Sequence, residues 1–183
     1  VNIPMLNNAI YISTSKVGVK ISTEDQNLLI DTALNYLNKT TELSDEESAD
    51  QFFICRLGVM LIQSGRHFDC VKAVQRYLEI GGAPDSDMLM NYTHSVGRVD
   101  DKNLKKKVLA DALNIFENSP HLFSKEDTSY LYNSDNIAVL AARVDDKSTM
   151  LKYLSESKKL DPDFIKNNKT EKAFEKYQND PDF

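Results

Sequence analysis

The chain has 183 residues, of which 41% are hydrophobic and 27% charged, values that exclude wholesale disorder and allow a buried core. Only 6 Gly and 5 Pro occur, fewer turn residues than a sandwich or barrel of short strands needs, so the composition favours long helices. The net charge of −6 has the wrong sign for a nucleic-acid-binding surface. No stretch approaches the roughly 20 apolar residues that span a membrane, so we expect no membrane insertion.

The first residues differ from the rest of the chain in the spacing of their apolar side chains. Ile10 and Ile12 alternate with Tyr11, and apolar residues alternate with others again over residues 17–21. A period of two is typical of extended structure, and residues 13–16 would form the turn. Residues 1–22 are therefore predicted to be an extended N-terminal arm or a β-hairpin.

Residues 23–183 predict one helical domain. Three helix starts carry a capping-box pattern, in which a hydroxyl side chain and a polar side chain three residues later satisfy free backbone amides: Thr23 to Gln26, Ser44 to Glu47 and Ser124 to Asp127. Apolar spacing predicts helices from residue 23 and over about 46–64, 67–80, 86–97, 101–117, 124–143, 147–159 and 170–178, with a short segment after Pro162. Short links between consecutive helices indicate antiparallel pairs.

An internal repeat supports related helix pairs. The pentapeptide Arg98-Val-Asp-Asp-Lys102 recurs as Arg143-Val-Asp-Asp-Lys147, 45 residues later (143 minus 98), and each copy joins a helix to the next. Asp161-Pro-Asp-Phe164 likewise recurs as Asp180-Pro-Asp-Phe183. Recurrence at matching places indicates a repeat architecture.

At these residues the chain resembles the tetratricopeptide (TPR) family, whose 34-residue unit is a pair of antiparallel helices. Over residues 51–84, Leu57-Gly58 match the family's Leu-Gly pair and Gly65 falls at the turn; residues 131–164 fit better, with Ala138, Asp146 and Leu160-Asp161-Pro162, whereas 85–118 fit loosely. The repeated tail is similar to the closing segment of some bacterial members. The resemblance implies a short TPR-like superhelix of stacked helix pairs with a C-terminal cap.

The resemblance also implies where a partner would bind. Family members place ligand contacts on the first helix of each pair, facing the concave side. Carried over to this sequence, those positions are Phe52, Arg56, Val59, Gln63, Tyr132, Asn136, Val139 and Arg143. The arginines and the asparagine would hold carboxylates or backbone, and the aromatic residues would supply apolar contact. Each position can also be explained as a core residue or as a surface residue without a binding role.

Residues that could carry chemistry have simpler explanations. His67 and Cys70 lie three apart on a helix and could pair as base and nucleophile, but a small buried cysteine at a helix crossing is the better interpretation. Cys55 and Cys70 are expected to be free thiols. His67, His94 and His121 lack metal-ligand spacing. We predict no catalytic residue, no metal and no cofactor. Four lysines form the one basic patch, expected to be a solvated helix face: Lys102, Lys105, Lys106 and Lys107.

Repeat architecture without catalytic motifs favours a non-catalytic scaffold, of the bacterial type that the tail suggests, that binds a protein or peptide in a concave groove. The alternative is an inhibitor or immunity protein that neutralises a basic toxin or enzyme, for which acidic charge and modest size argue. The third is an enzyme with an unrecognised site. The chain starts at Val1 rather than Met, which suggests that an upstream segment was removed, so both cytoplasmic and exported locations stay open for a soluble protein. Oligomeric state is not predicted.

Overall fold

The computed structural model describes residues 3–14, 21–43, 47–123, 128–163 and 171–183. In these ranges the chain forms eight α-helices and two 3₁₀ helices and no β-strand, which confirms the predicted all-α class. The residues group into two compact units, Val1–Ser95 and Val96–Phe183, which we call unit 1 and unit 2.

Unit 1 contains five helices. They are α1 (Ile3–Thr14), α2 (Thr23–Lys39), α3 (Glu47–Gln63), α4 (His67–Glu79) and α5 (Ser86–Arg98), whose last three residues belong to unit 2. Helix α3 contacts α1, α2 and α4 and is the centre of the unit. Each helix contributes a fully buried apolar side chain to the core, worth about 1.5–3 kcal/mol relative to exposure: Ile10, Ile30, Leu57, Val71 and Leu89.

Helix α1 corrects the prediction for the N-terminus. Residues 3–14 are helical, so the extended arm or hairpin predicted over residues 1–22 is wrong there, while residues 17–20 of the predicted second strand lie outside the described residues. Leu6 and Ile10 are four apart, share one helix face and are buried, and α1 packs against α3. The alternation of Ile10 with Ile12 was misleading because Ile12 is exposed.

The start of α2 differs by one residue from the predicted capping box. Ser22, rather than Thr23, is the N-cap, and its hydroxyl accepts from the backbone amide of Asp25 at 3.0 Å. The Ser22 hydroxyl also donates to the Asp25 carboxylate at 2.7 Å, so the two residues are paired, but through the hydroxyl rather than through the N-cap backbone amide of a capping box. The boxes proposed from Ser44 and Ser124 begin at residues outside those described.

Unit 2 is organised around one long helix. Its elements are α6 (Lys102–Asn118), a 3₁₀ helix (Pro120–Leu122), α7 (Thr128–Arg143), α8 (Lys147–Leu160) and a C-terminal 3₁₀ helix (Lys172–Tyr177). Helix α7 contacts α6, α8 and the C-terminal 3₁₀ helix. An aromatic cluster centres on Phe116, whose ring centroid lies 4.6 Å from that of Phe123, 4.9 Å from Tyr130 and 5.7 Å from Tyr153. These rings join α6, α7 and α8 in one core.

The repeated pentapeptide has a structural role in both of its copies. Its fourth residue caps the helix that follows: Asp101 accepts from the amide of Leu104 at 2.9 Å, and Asp146 accepts from the amide of Thr149 at 3.0 Å. Such a cap satisfies one of the free amides at a helix start and contributes about 0.5–2 kcal/mol. The recurrence therefore marks two helix starts of the same kind.

Residues 171–183, the C-terminal segment, fold against α7. The helix predicted over residues 170–178 is a 3₁₀ helix, Lys172–Tyr177. Phe174 is buried, and its ring centroid lies 5.6 Å from that of the final residue, Phe183. The segment contacts α7 and contributes a buried aromatic side chain to unit 2.

Candidate functional site

The turn of the α3–α4 pair and the turn of the α7–α8 pair have the same backbone geometry. Between α3 and α4, the amide of Arg66 donates to the Leu61 carbonyl at 2.8 Å and Gly65 has a φ of 70°. Between α7 and α8, the amide of Asp146 donates to the Ala141 carbonyl at 2.9 Å and Asp145 has a φ of 68°. This bond pattern with one left-handed residue is the Schellman helix end. The two turns are 80 residues apart (145 minus 65), the same spacing that separates the two sets of predicted contact residues.

The predicted contact residues of α3 share one face of that helix, since their spacing is four, three and four residues. Phe52 is 58% exposed, Val59 and Gln63 are also exposed, and Arg56 is half-buried. The structure thus places the four side chains in one strip along unit 1. We call Phe52, Arg56, Val59 and Gln63 the α3 strip.

Arg56 is the most constrained member of the α3 strip. Its guanidinium carbon lies 4.6 Å from the centroid of the Tyr11 ring and 5.4 Å from that of Phe52. Its NH1 group donates to the side-chain oxygen of Asn7 at 2.8 Å. Stacking on two rings together with a hydrogen bond fixes the plane of a guanidinium. No carboxylate lies within salt-bridge distance of Arg56 in the described ranges.

The predicted contact residues of α7 fall into two groups: three are at least partly accessible to solvent, and the fourth is paired within unit 2. Tyr132 is 49% exposed, and Asn136 and Val139 are half-buried. Arg143 is engaged within unit 2: NH1 donates to the carbonyl of Gly97, and NH2 pairs with Glu171 at 2.8 Å. The open residues, Tyr132, Asn136 and Val139, form what we call the α7 strip.

The C-terminal segment supplies the charges that occupy the end of α7. Besides the Arg143–Glu171 pair, Lys147 contacts Asp180 at 2.7 Å and Asp182 at 2.8 Å, which raises the pKa of the lysine. Asp145 is bridged by Lys102 at 2.6 Å and by Lys176, and these hydrogen bonds lower the pKa of its carboxyl to about 2. An acidic, aromatic segment of the chain itself therefore binds to the basic residues at this helix end.

A cavity of about 520 Å³ lies between α7 and the C-terminal 3₁₀ helix. It is lined by Ala142, Arg143, Lys172, Ala173, Glu175 and Lys176. The cavity is open and bordered by charged side chains, whereas small-molecule sites are mostly enclosed and apolar.

The sequence's candidate nucleophile lies in an environment that suppresses its reactivity. Cys70 is fully buried, and burial raises its pKa to about 11. The Cys55 thiol donates to Asp85 at 3.3 Å, and burial followed by repulsion from Asp85 raises its pKa further still. Both cysteines are free, as predicted. Because the thiolate is the nucleophile, neither residue is prepared for covalent catalysis in this structure.

Two histidines that are far apart in sequence come together in unit 1. The ring centroids of His67 and His94 are 6.1 Å apart, because the start of α4 lies beside α5. Sequence spacing could not show this, since the two residues are on different helices. Within the described ranges, no group of three or more His, Cys, Asp or Glu residues could hold a metal ion.

The basic patch at the start of α6 is partly used inside the protein. Lys102 pairs with Asp145, while Lys106 and Lys107 are exposed and Lys105 is half-buried.

Sequence reasoning missed Asn7 and Tyr11, which hold Arg56, because α1 was interpreted as extended. It also missed Glu171, for which no local pattern gives a signal.

Comparison with protein-family models, with curated protein sequences and with solved structures finds no match for this chain. In the part of the chain that the structure describes, none of the helices is both long enough and apolar enough to cross a membrane.

Proposed function

We propose that the protein is a non-catalytic interaction module that binds a protein or peptide partner along the α3 strip and the α7 strip. The carrying observation is recurrence: two helix pairs with the same turn each expose an aromatic residue, with a valine at the equivalent position that is exposed in α3 and half-buried in α7. Phe52 corresponds to Tyr132, and Val59 corresponds to Val139, each 80 residues later (132 minus 52).

Exposed aromatic side chains at matched positions support binding for an energetic reason. Burying a fully exposed large side chain contributes about 1.5–3 kcal/mol, and a partner that covers the half-exposed rings of Phe52 and Tyr132 recovers the part not yet buried. Aromatic residues and arginine are also the types that most often dominate interface energies. The α3 strip has both, with Arg56 between two rings.

The test is capture of partners by the tagged protein from its native host, eluted over a salt gradient. Phe52→Ala and Tyr132→Ala are expected to reduce the captured amount at least about tenfold, the usual effect of truncating an interface anchor. Phe68→Ala is the matched control, because Phe68 is 50% exposed but lies on α4, outside both strips.

The outcomes separate the three functions. Equal capture by all three variants, or loss only with Phe68→Ala, contradicts the proposal. A single basic partner in equimolar amount, released by salt and indifferent to Phe52, favours an inhibitor, in keeping with the net charge of −6. Capture of nothing favours an enzyme.

A further inference from the structure

The five arginines of the chain have different surroundings, and Arg56 stands apart. Arg66 pairs with Asp31 and Asp69, Arg76 lies 3.8 Å from Glu79, and Arg143 pairs with Glu171. Among the described residues, Arg56 and Arg98 have no carboxylate partner. Arg98 is exposed to solvent, whereas Arg56 is half-buried and clamped.

The clamp leaves part of the Arg56 guanidinium available. Only NH1 has a hydrogen-bond acceptor among the described residues, the side-chain oxygen of Asn7. The remaining donors of a guanidinium form a planar fork that matches a carboxylate. Because the contacts with Tyr11 and Phe52 and the bond to Asn7 already restrict the side chain, an incoming carboxylate costs less side-chain entropy than binding to a mobile arginine would.

Unit 2 shows which group binds to an arginine on the corresponding helix, α7. Arg143 of α7 binds the carboxylate of Glu171, and the segment that supplies this carboxylate also buries the aromatic ring of Phe174. The α3 strip has a guanidinium and exposed apolar side chains, but no described segment of unit 1 provides the carboxylate. In unit 2 the guanidinium of Arg143 has a carboxylate partner, whereas among the described residues Arg56 has none.

We infer that Arg56 is a carboxylate-binding site for an acidic peptide, with Phe52 and Tyr11 contacting an apolar side chain next to the acidic group. This inference rests on the proposed function and names the chemistry of its ligand. The carboxylate can come from an Asp or Glu side chain or from a peptide C-terminus. Both sources present the same two oxygens to the guanidinium.

The experiment uses the full chain labelled with ¹⁵N and follows the Nε–H signals of its five arginines by NMR. The probes are N-acetyl-Asp-Phe-amide, N-acetyl-Phe with a free carboxylate, and N-acetyl-Asn-Phe-amide. Arg56 is expected to shift saturably with at least one acidic probe and at least about tenfold more weakly with the Asn probe, the loss of one charge-assisted interaction. Comparison of the two acidic probes shows which carboxylate source the site prefers.

Arg98 is the internal control, because it is exposed and lacks the aromatic clamp. Equal shifts of Arg56 and Arg98, equal affinity for acidic and Asn probes, or no shift at all would overturn the inference. Arg56→Lys keeps the charge but loses the planar fork, so affinity followed through the Phe52 amide is expected to fall about tenfold. Unchanged affinity in this variant also counts against the site.

The inference and the proposed function can fail separately. If partner capture depends on Phe52 and Tyr132 but the acidic probes do not bind at Arg56, the module stands and the carboxylate site is refuted. If the probes bind saturably at Arg56 and no partner depends on the strips, the site stands and the interaction module is refuted.

Discussion

The helix pairs α3–α4 and α7–α8 make the same turn with different residues. Gly65 and Asp145 both have a left-handed backbone, at φ of 70° and 68°, although this region is disfavoured for residues with a Cβ. Gly65 has nothing within 4 Å of where a side chain would begin. Asp145 instead contacts Lys102 and Lys176. The two helix pairs thus share the turn geometry but reach it with different residues, a glycine in one pair and an aspartate bound by two lysines in the other.

The difference extends to the C-terminal segment. Asp145, Arg143 and Lys147 all have partners in residues 171–183, so the α7–α8 pair depends on a segment that follows it in sequence. The α3–α4 pair has no such segment among the described residues, and its turn relies on glycine. Three changes test this contrast.

Removing the buried ring of the C-terminal segment should have the largest effect. Phe174→Ala is expected to lower the free energy of unfolding by about 3 kcal/mol or more, because a buried aromatic side chain is replaced by a cavity. Urea denaturation measures it. Phe68→Ala, at an exposed position on α4, is the control and should change stability by less than about 0.5 kcal/mol. Equal effects of the two variants would show that the C-terminal segment does not stabilise unit 2.

The turn of the α3–α4 pair should show a smaller effect. Gly65→Ala is expected to lower the free energy of unfolding by about 1–2 kcal/mol, because a Cβ is disfavoured in the left-handed region. Gly97→Ala is the matched control with the opposite sign. Gly97 is helical and its added Cβ would meet only ordinary contacts, so a gain of about 0.5–1 kcal/mol is expected. A neutral Gly65→Ala would show that the turn geometry is not required.

The smallest expected effect is a dependence on pH at the other turn. The folded pKa of Asp145, about 2, lies below its ordinary value of 3.8. A lowered folded pKa stabilises the protein above the unfolded pKa, and this stabilisation is lost as pH falls from about 4 toward 2. Asp145→Asn keeps a side chain that tolerates the left-handed region but cannot ionise. Urea denaturation between pH 5 and 2 should show a shallower loss for this variant, and an identical loss would contradict the role of the two lysines.

Local sequence signals predicted most of the fold correctly. Helix limits follow apolar periodicity and caps, so α4 begins at His67 and α8 at Lys147, as predicted. The prediction of an extended N-terminus was wrong because Ile10 and Ile12 suggested a period of two, whereas the buried face of the helix follows the four-residue spacing of Leu6 and Ile10. Packing of α1 on α3 is tertiary information that a short segment does not contain.

The site was predictable only in part, for the same reason. Spacing alone places Phe52 and Val59 on one helix face, and the structure exposes both. The pairing of Arg143 with Glu171 joins residues 28 positions apart, and the hydrogen bond that holds Arg56 comes from Asn7, 49 positions away on α1. Interactions over such separations depend on how helices pack, which no local pattern encodes.

The raised pKa values of the Cys55 and Cys70 thiols have a practical consequence. A maleimide reacts with the thiolate, whereas Cys70 is buried, Cys55 is half-buried with its thiol donating to Asp85, and both thiols are held in the protonated form. A cysteine introduced at an exposed position such as Tyr132 would therefore be the fast-reacting group in the folded chain. The wild-type background is already suited to attaching a single fluorophore or spin label beside the α7 strip, without first removing either native cysteine.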